Sequence, residues 1–389
     1  MSRRSNRTAV QLAAFVFVLL IILLFTRKQT SNRHFSWRTV RYKTTSPTLP
    51  EARGKCPGLS EGSRSALVVS RVQADGDTRW LSRLENLYHM CVYTADATPK
   101  KDSVYLQVPA NHGHEAMAYL TFLIDNYDNI PAAGAVFVHG TRYAWHNDDP
   151  EYDNLALLLA LNVSSAVEAD GYHNLRCDWS VGTCPANMRS QASMETSLQA
   201  ATEPWNARAA SDKALPGALL SLFGVEGHES MVSALGRASI GRSDVVRSQC
   251  CAQFVVSRES VWQHSRQEYI ALRQWLLDGN SMGGSGKPGA AAPQNDRVSG
   301  RIVSYLWHIL FIRHHGTAIT GGAEGEESGL DLEQLNYRAC PSAADCYCRL
   351  YGRCNLDGCK AGNCRGQYSV PPKFKLPDDW ADTHGKSSL

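Results

Sequence analysis

The sequence predicts an α/β protein, a mostly parallel sheet with helices on both faces, preceded by a single transmembrane helix and followed by a small Cys-rich tail. Three observations lead there. Short β-branched runs alternate with segments of helical period between residues 61 and 315. An apolar run near the start has Arg or Lys on both sides, and six of the 12 cysteines crowd into residues 340–366.

The first strand is read at Ala66-Leu67-Val68-Val69-Ser70, and a helical pattern follows through Trp80, Leu81, Leu84 and Leu87. Met90-Cys91-Val92-Tyr93 reads as a second strand and Val104 to Val108, stopped by Pro109, as a third. The most regular helix runs from about His114 to Tyr127, because Met117, Leu120, Leu123, Ile124 and Tyr127 build one apolar face. Ala135-Val136-Phe137-Val138 is the next strand. Further on, Cys250 to Arg258 reads as a strand opened by two cysteines, Arg266 to Leu277 as a helix, and Arg301 to Phe311 as an amphipathic helix. Adjacent cysteines bridge poorly, so Cys250 and Cys251 are expected to seek Cys177, Cys184 or Cys91.

Around this body the chain divides by composition. Residues 1–8 read as a cytosolic tail and 9–25, with Gln11 as the single polar member, as a transmembrane anchor; no small-x-small cleavage site follows it. Residues 26–60 read as an extended stem, 279–300 as a flexible insertion, 316–339 as a linker, 340–366 as a disulfide module and 367–389 as an irregular tail. The bases around the apolar run, three before and six after, would by themselves put the bulk of the chain in the cytoplasm. Cysteine density argues the opposite way and is preferred, giving a lumenal, oxidising compartment, Golgi or other secretory-pathway membrane, with which the Asn162-Val163-Ser164 sequon is consistent. The formal charge of +3 hides an asymmetry: residues 1–43 carry nine bases and no acid, leaving 31 bases against 37 acids in the rest. A mildly acidic domain is a poor partner for nucleic acid, which needs a positive face.

Ligands of parallel sheets bind beyond the carboxyl ends of the strands, and three polar stretches fall there. Ser70 and Arg71 follow the first strand, with Asp75-Gly76-Asp77 just after; this D-x-D is read as turn chemistry. Asn111, Gly113 and Glu115 open the long helix, where free N–H groups favour an anion and where simple capping is the competing reading. His139 leaves the fourth strand as a candidate base, and His146-Asn147-Asp148-Asp149 combines an imidazole with hard oxygen donors suited to Mg²⁺ or Mn²⁺ or to a plain turn. His308 is read as reaching the crevice or as packing beside Trp307. Nucleophile-elbow, P-loop, zincin and dinucleotide motifs are missing from the sequence.

Taken together, N-x-G-x-E-A at 111–116, A-Y-L at 118–120, I-D-N-Y-D at 124–128, V-F-V-H-G at 136–140, C-C-A-Q-F-V-V-S-R at 250–258, the Tyr269-x-x-Leu272-x-x-Trp275-Leu276 helix and Y-L-W-H at 305–308 resemble the fungal family catalogued as domain of unknown function 3431. The resemblance spans about residues 66–312, and Ser304 departs from it where members often carry an acid. It implies a fold similar to type A glycosyltransferases and a membrane-anchored, Golgi-type enzyme that transfers a sugar from a nucleotide sugar to a glycan acceptor. On that reading Ser70, Arg71, Asn111 and Gly113 contact the nucleotide, and Asp148 and Asp149 hold a divalent cation. His139 or Glu115 deprotonates the acceptor, with His308 as a further catalytic candidate. The alternatives are a non-catalytic glycan-binding or scaffolding protein, and a metal-dependent phosphoesterase built on His139, His146 and Asp148.

Overall fold

The computed structural model describes residues 11–18, 37, 39–44, 46–96, 103–224, 240, 244–282, 291–313 and 332–368. The chain forms two units, residues 1–33 and 34–389. In the first, residues 11–18 are helical. Among the described residues no helix is long and apolar enough to cross a membrane, so the transmembrane element expected at 9–25 is withdrawn from the fold class; residues 9, 10 and 19–25 lie outside the described part.

The second unit is the α/β body. Its strands are β1 (Ala66–Arg71), β2 (His89–Thr94), β3 (Leu106–Gln107), β4 (Ala135–His139), β5 (Tyr172–Asn174) and β6 (Phe254–Val256), with a small hairpin of β7 (Asp357–Lys360) and β8 (Asn363–Arg365). Its helices are α1 (Glu115–Asp125), α2 (Asn154–Ala160), α3 (Val163–Glu168), α4 (Met194–Thr202), α5 (Ala207–Phe223), α6 (Arg258–Trp262), α7 (Arg266–Met282), α8 (Asp296–Ser304), α9 (Trp307–Phe311), α10 (Leu332–Ala339) and α11 (Ala343–Tyr351). The sheet order is β3-β2-β1-β4-β6-β5. Strands β3, β2, β1 and β4 are parallel, and β6 runs antiparallel to β4 and β5 on either side of it. The expected mostly parallel sheet is therefore present, with one reversed strand.

Both faces of the sheet are covered, which is why β1 and β4 read as continuous apolar runs. Ala66, Val68, Ala135, Phe137 and Phe254 point to a core shared with α1, α5, α7, α8 and α9. Leu67, Val69, Val136, Val138 and Val255 point to the other, shared with α2, α3, α11 and the 3-10 turn Arg79–Leu84. Helix α1 departs from its one-faced pattern: every residue from Ala116 to Asp125 is buried, since the sheet lies on one side and α7 on the other. The helix expected over 301–311 is two pieces, because Tyr305 and Leu306 N–H groups bond three residues back, to Ile302 and Val303, before α9 restarts.

Four other expectations change. The segment taken as a stem is, from Trp37 to Ser60, a strap laid on the body. Trp37, Val40 and Tyr42 are buried in the first core, and Asp278 of α7 accepts hydrogen bonds from Tyr42, Thr44 and Ser46 at 2.8, 2.9 and 2.6 Å. Gly54 is where the strap comes closest to α1: a Cβ there would lie 2.5 Å from Thr121 Cγ2, and the Gly54 N–H donates to Asp125 at 2.8 Å. The insertion expected at 279–300 is partly helical, with α7 running to Met282 and α8 starting at Asp296; residues 283–290 lie outside the described part, as do 26–36, 316–331 and 369–389.

The Cys-rich segment is not a separate module. Cys177–Cys346 and Cys184–Cys340 bridge it to the body, and only Cys348–Cys354 and Cys359–Cys364 close within it. Cys56–Cys91 ties the strap to β2. Contrary to expectation, Cys250 pairs with its neighbour Cys251, and the backbone accommodates this with positive φ at Cys251 and Ala252, 91° and 49°.

Candidate functional site

Strands β1 and β4 are neighbours although the chain travels out through β2 and β3 between them. This reversal opens a crevice beyond their carboxyl ends. The crevice measures about 550 Å³. Asp75, Asp77, Arg79 and Trp80, after β1, form one wall, and Thr141, Arg142 and Tyr143, after β4, the other.

The first wall is a tight turn. The Val72 N–H donates to Asp75 Oδ2 at 2.8 Å, and Gly76 at φ +78° lets the chain turn back without a Cβ penalty. Asp77 accepts the Arg79 N–H at 2.8 Å and pairs with the Arg79 guanidinium, contacts that hold its carboxyl below the usual carboxylate range. Trp80 is 7% exposed and floors the crevice. Beside this wall the Arg71 guanidinium lies 4.6 Å over the Tyr105 ring, and Tyr105 meets Thr78 at 2.9 Å.

The second wall is fixed to the first. Gly140 donates to the Ser70 carbonyl at 2.7 Å, and a Cβ at Gly140 would sit 2.5 Å from Arg71 Cβ. Thr141 donates its hydroxyl to Asp75 Oδ1 at 2.7 Å. Arg142 forks onto Asp153 at 2.9 and 2.7 Å, which raises its affinity for its proton, and also lies over Tyr143. Asp153 caps α2 as well, accepting the Leu155 N–H at 2.9 Å, so one carboxylate positions both the helix and the crevice arginine.

Of the candidate residues, Ser70, Arg71 and His139 do reach this carboxyl edge. Ser70 is buried and contributes its carbonyl. His139 lies between walls of its own: Nε2 contacts the Cys251 carbonyl at 2.8 Å and so carries the proton, its N–H meets Gln253 at 3.2 Å, and its ring meets His146 edge-on at 4.7 Å. His146 is held well below the usual histidine range by burial and by His139.

The others are placed elsewhere. Asn111 is exposed, and Glu115 is simply the first residue of α1. The anion that the start of α1 attracts is internal: Asp296, at the start of α8, accepts the Gly113 N–H and lies 3.4 and 3.3 Å from His112 and His114. His308 is 1% exposed, has no hydrogen-bond partner at either ring nitrogen, and is pushed down to about 3 by burial, so it does not face the crevice.

Asp148 and Asp149 are buried supports. Asp148 accepts the Cys177 and Asp178 N–H groups at 2.7 and 3.2 Å and the hydroxyls of Tyr347, at 3.0 Å, and Tyr368. Asp149 accepts the Glu151 and Asp153 N–H groups at 3.0 and 3.2 Å, and burial raises its pKa. Four donors on Asp148 leave no room for a cation, and the His139, His146 and Asp148 trio of the phosphoesterase reading loses its carboxylate. Asp75 and Asp77 line one crevice, Asp77 from a half-exposed side chain. The sequence did hold a signal for them, since they follow β1, the strand at the reversal.

Fold and site define an α/β protein with a mixed-charge crevice at the strand reversal of a mostly parallel sheet. The chain belongs to the family described as protein of unknown function (DUF3431), whose model matches residues 67–349 and so runs into the Cys-rich segment. No curated protein and no solved structure matches it.

Proposed function

We propose that the protein binds a nucleoside-diphosphate sugar in the Asp75–Tyr143 crevice and transfers the sugar to a glycan or glycoconjugate in an oxidising compartment. The supporting observation is the composition of the crevice: two carboxylates, two arginines and the rings of Trp80 and Tyr143 in one space at the sheet reversal. Arg79 and Arg142 face the diphosphate, and the aromatic rings take the base or the sugar. Asp75 and Asp77 are the residues that would hold Mn²⁺ or Mg²⁺, whose charge would offset the one developing on the departing diphosphate. The bond from the anomeric carbon to the diphosphate oxygen breaks, and one from that carbon to the acceptor oxygen forms. His139 does not line the crevice but ends β4 at the same carboxyl edge; with its Nε2 proton committed to Cys251, it takes the proton of an acceptor held beyond the crevice at Nδ1.

Titration calorimetry of the full chain with UDP, GDP and their sugars, with and without Mn²⁺, tests this. One nucleoside diphosphate should bind, and the double change D75N/D77N should weaken it by about tenfold, roughly 1.4 kcal/mol. If none binds under either condition, the reading fails.

A second reading, a non-catalytic glycan-binding protein, is favoured by two observations: no histidine or glutamate lines the crevice, and Asp75, Asp77 and Arg142 already have protein partners. Binding without any hydrolysis of the bound nucleotide sugar would select it.

A further inference from the structure

We propose that the loop from Tyr143 to Tyr152 is a stacking platform for a pyranose ring of the glycan acceptor, with Trp145 as its principal face; this rests on the crevice being the donor site. Trp145 and Tyr152 are left 47% and 37% exposed, two residues and nine residues beyond the crevice residue Tyr143. Large rings left in water on a loose loop would be unremarkable. This loop is braced.

Tyr143 and Asp153 form an antiparallel bridge, and the Ala144 N–H donates to the Tyr152 carbonyl at 3.2 Å. Asn147, 1% exposed, spans the loop from inside, donating to the carbonyls of Arg142 and Tyr152 at 3.0 and 2.8 Å and accepting from Gln253 at 2.9 Å. His146 meets the Trp145 ring edge-on at 5.5 Å, which limits its rotation. The ordering of these rings therefore precedes any ligand, which is what a binding platform requires.

Tyr152 adds an independent observation. Among the described residues it is one of four non-glycine residues with positive φ, at 56°, a conformation costly for a bulky side chain. Glycine would adopt it freely; a tyrosine there retains a ring at the cost of backbone strain. The chemistry of the ligand follows from the rings. A pyranose presents one face of C–H bonds and a rim of hydroxyls, so it lies on an aromatic face while its hydroxyls keep their water. Trp205, 78% exposed, lies near exposed Met194 and Leu198 in sequence and serves as a control; Trp262, 44% exposed, is already engaged by its N–H on the Tyr127 carbonyl and by Arg258 over its ring.

The test is saturation-transfer NMR of the full chain with cellotriose, mannotriose, chitotriose and lactose, with UDP and GDP titrated in parallel. At least one oligosaccharide should bind; W145A should weaken it by about tenfold, W145F by about threefold or less, and W205A should leave it unchanged, with nucleotide affinity the same in all three. Nucleotide binding without oligosaccharide binding overturns the platform alone. Oligosaccharide binding that W145A does not weaken also overturns it, whereas oligosaccharide binding without nucleotide binding removes the donor-site reading and keeps the platform. If W145A does not fold, W145F against W145L decides, since only the former keeps a ring.

Discussion

At Asp148 four donors converge on one buried carboxylate, from the neighbouring loop at Cys177 and Asp178 and from Tyr347 and Tyr368 of the Cys-rich segment. His146-Asn147-Asp148-Asp149 reads locally as ligand chemistry, and nothing in it shows that partners arrive from 199 and 220 residues away. His308 was misleading in the same way. Its place beside Trp307 fitted either role, and burial without a partner decides for packing. This has a thermodynamic consequence. An unfolded histidine takes up a proton near pH 6.5, whereas the folded His308 resists until about pH 3. As pH falls below 6.5 the unfolded state binds a proton that the folded state refuses, so stability is lost with acid. At pH 5 the loss amounts to about 2 kcal/mol from this group. Urea unfolding at pH 7 and pH 5 should show H308L losing about 2 kcal/mol less than the wild type between the two; equal losses would mean that His308 is protonated or reachable by water in the folded state.

At the scale of elements, the strap shows how a segment with no hydrophobic period can still be structural. It is held by side chains reaching one acceptor, Asp278, and by the Val40 N–H donating to Glu268 at 3.0 Å. Replacing Asp278 by alanine strands three hydroxyls, one of them on a buried tyrosine, and should destabilise the protein by about 3 kcal/mol. Limited proteolysis supplies the specific readout: D278A should be cut within residues 37–60 faster than the wild type, and uniform cleavage across the chain would argue against a strap. Legibility followed the range of the forces. Strands β1 and β4 and helix α1 were visible because their apolar pattern is local. Strand β5, Tyr172-His173-Asn174, was not, since three residues with one apolar member make a strand only by pairing with β6. The strap was not legible because its polar Ser and Thr residues act through α7; the D-x-D turn was legible as a turn, and its place at a sheet reversal was not, because that depends on strand order.

The whole molecule depends on its C-terminal part being built into the body. Helix α11 presents Ala343, Cys346, Tyr347, Leu350 and Tyr351, spaced i, i+3, i+4, i+7 and i+8, to the second core. Two disulfides lock it there, Cys177–Cys346 and Cys184–Cys340, with sequence separations of 169 and 156 residues. They are nested: seven residues separate Cys177 from Cys184 and six separate Cys340 from Cys346. With one bridge present the other closes a loop of only about 13 residues, worth about 3 kcal/mol, while the first of the pair to form closes a long loop worth about 5 kcal/mol. The costs of breaking them are therefore unequal to the sum of two alike. C177A/C346A or C184A/C340A should each lower unfolding free energy by about 3 kcal/mol, and the quadruple variant by about 8 kcal/mol, a loss comparable with the whole stability of a typical domain. Equilibrium urea unfolding of the three variants measures this directly. Two mild losses followed by collapse of the quadruple variant would establish that the C-terminal helix and the crevice-bearing sheet fold as one body; a quadruple variant no weaker than either double would show that the second core closes without its cross-links.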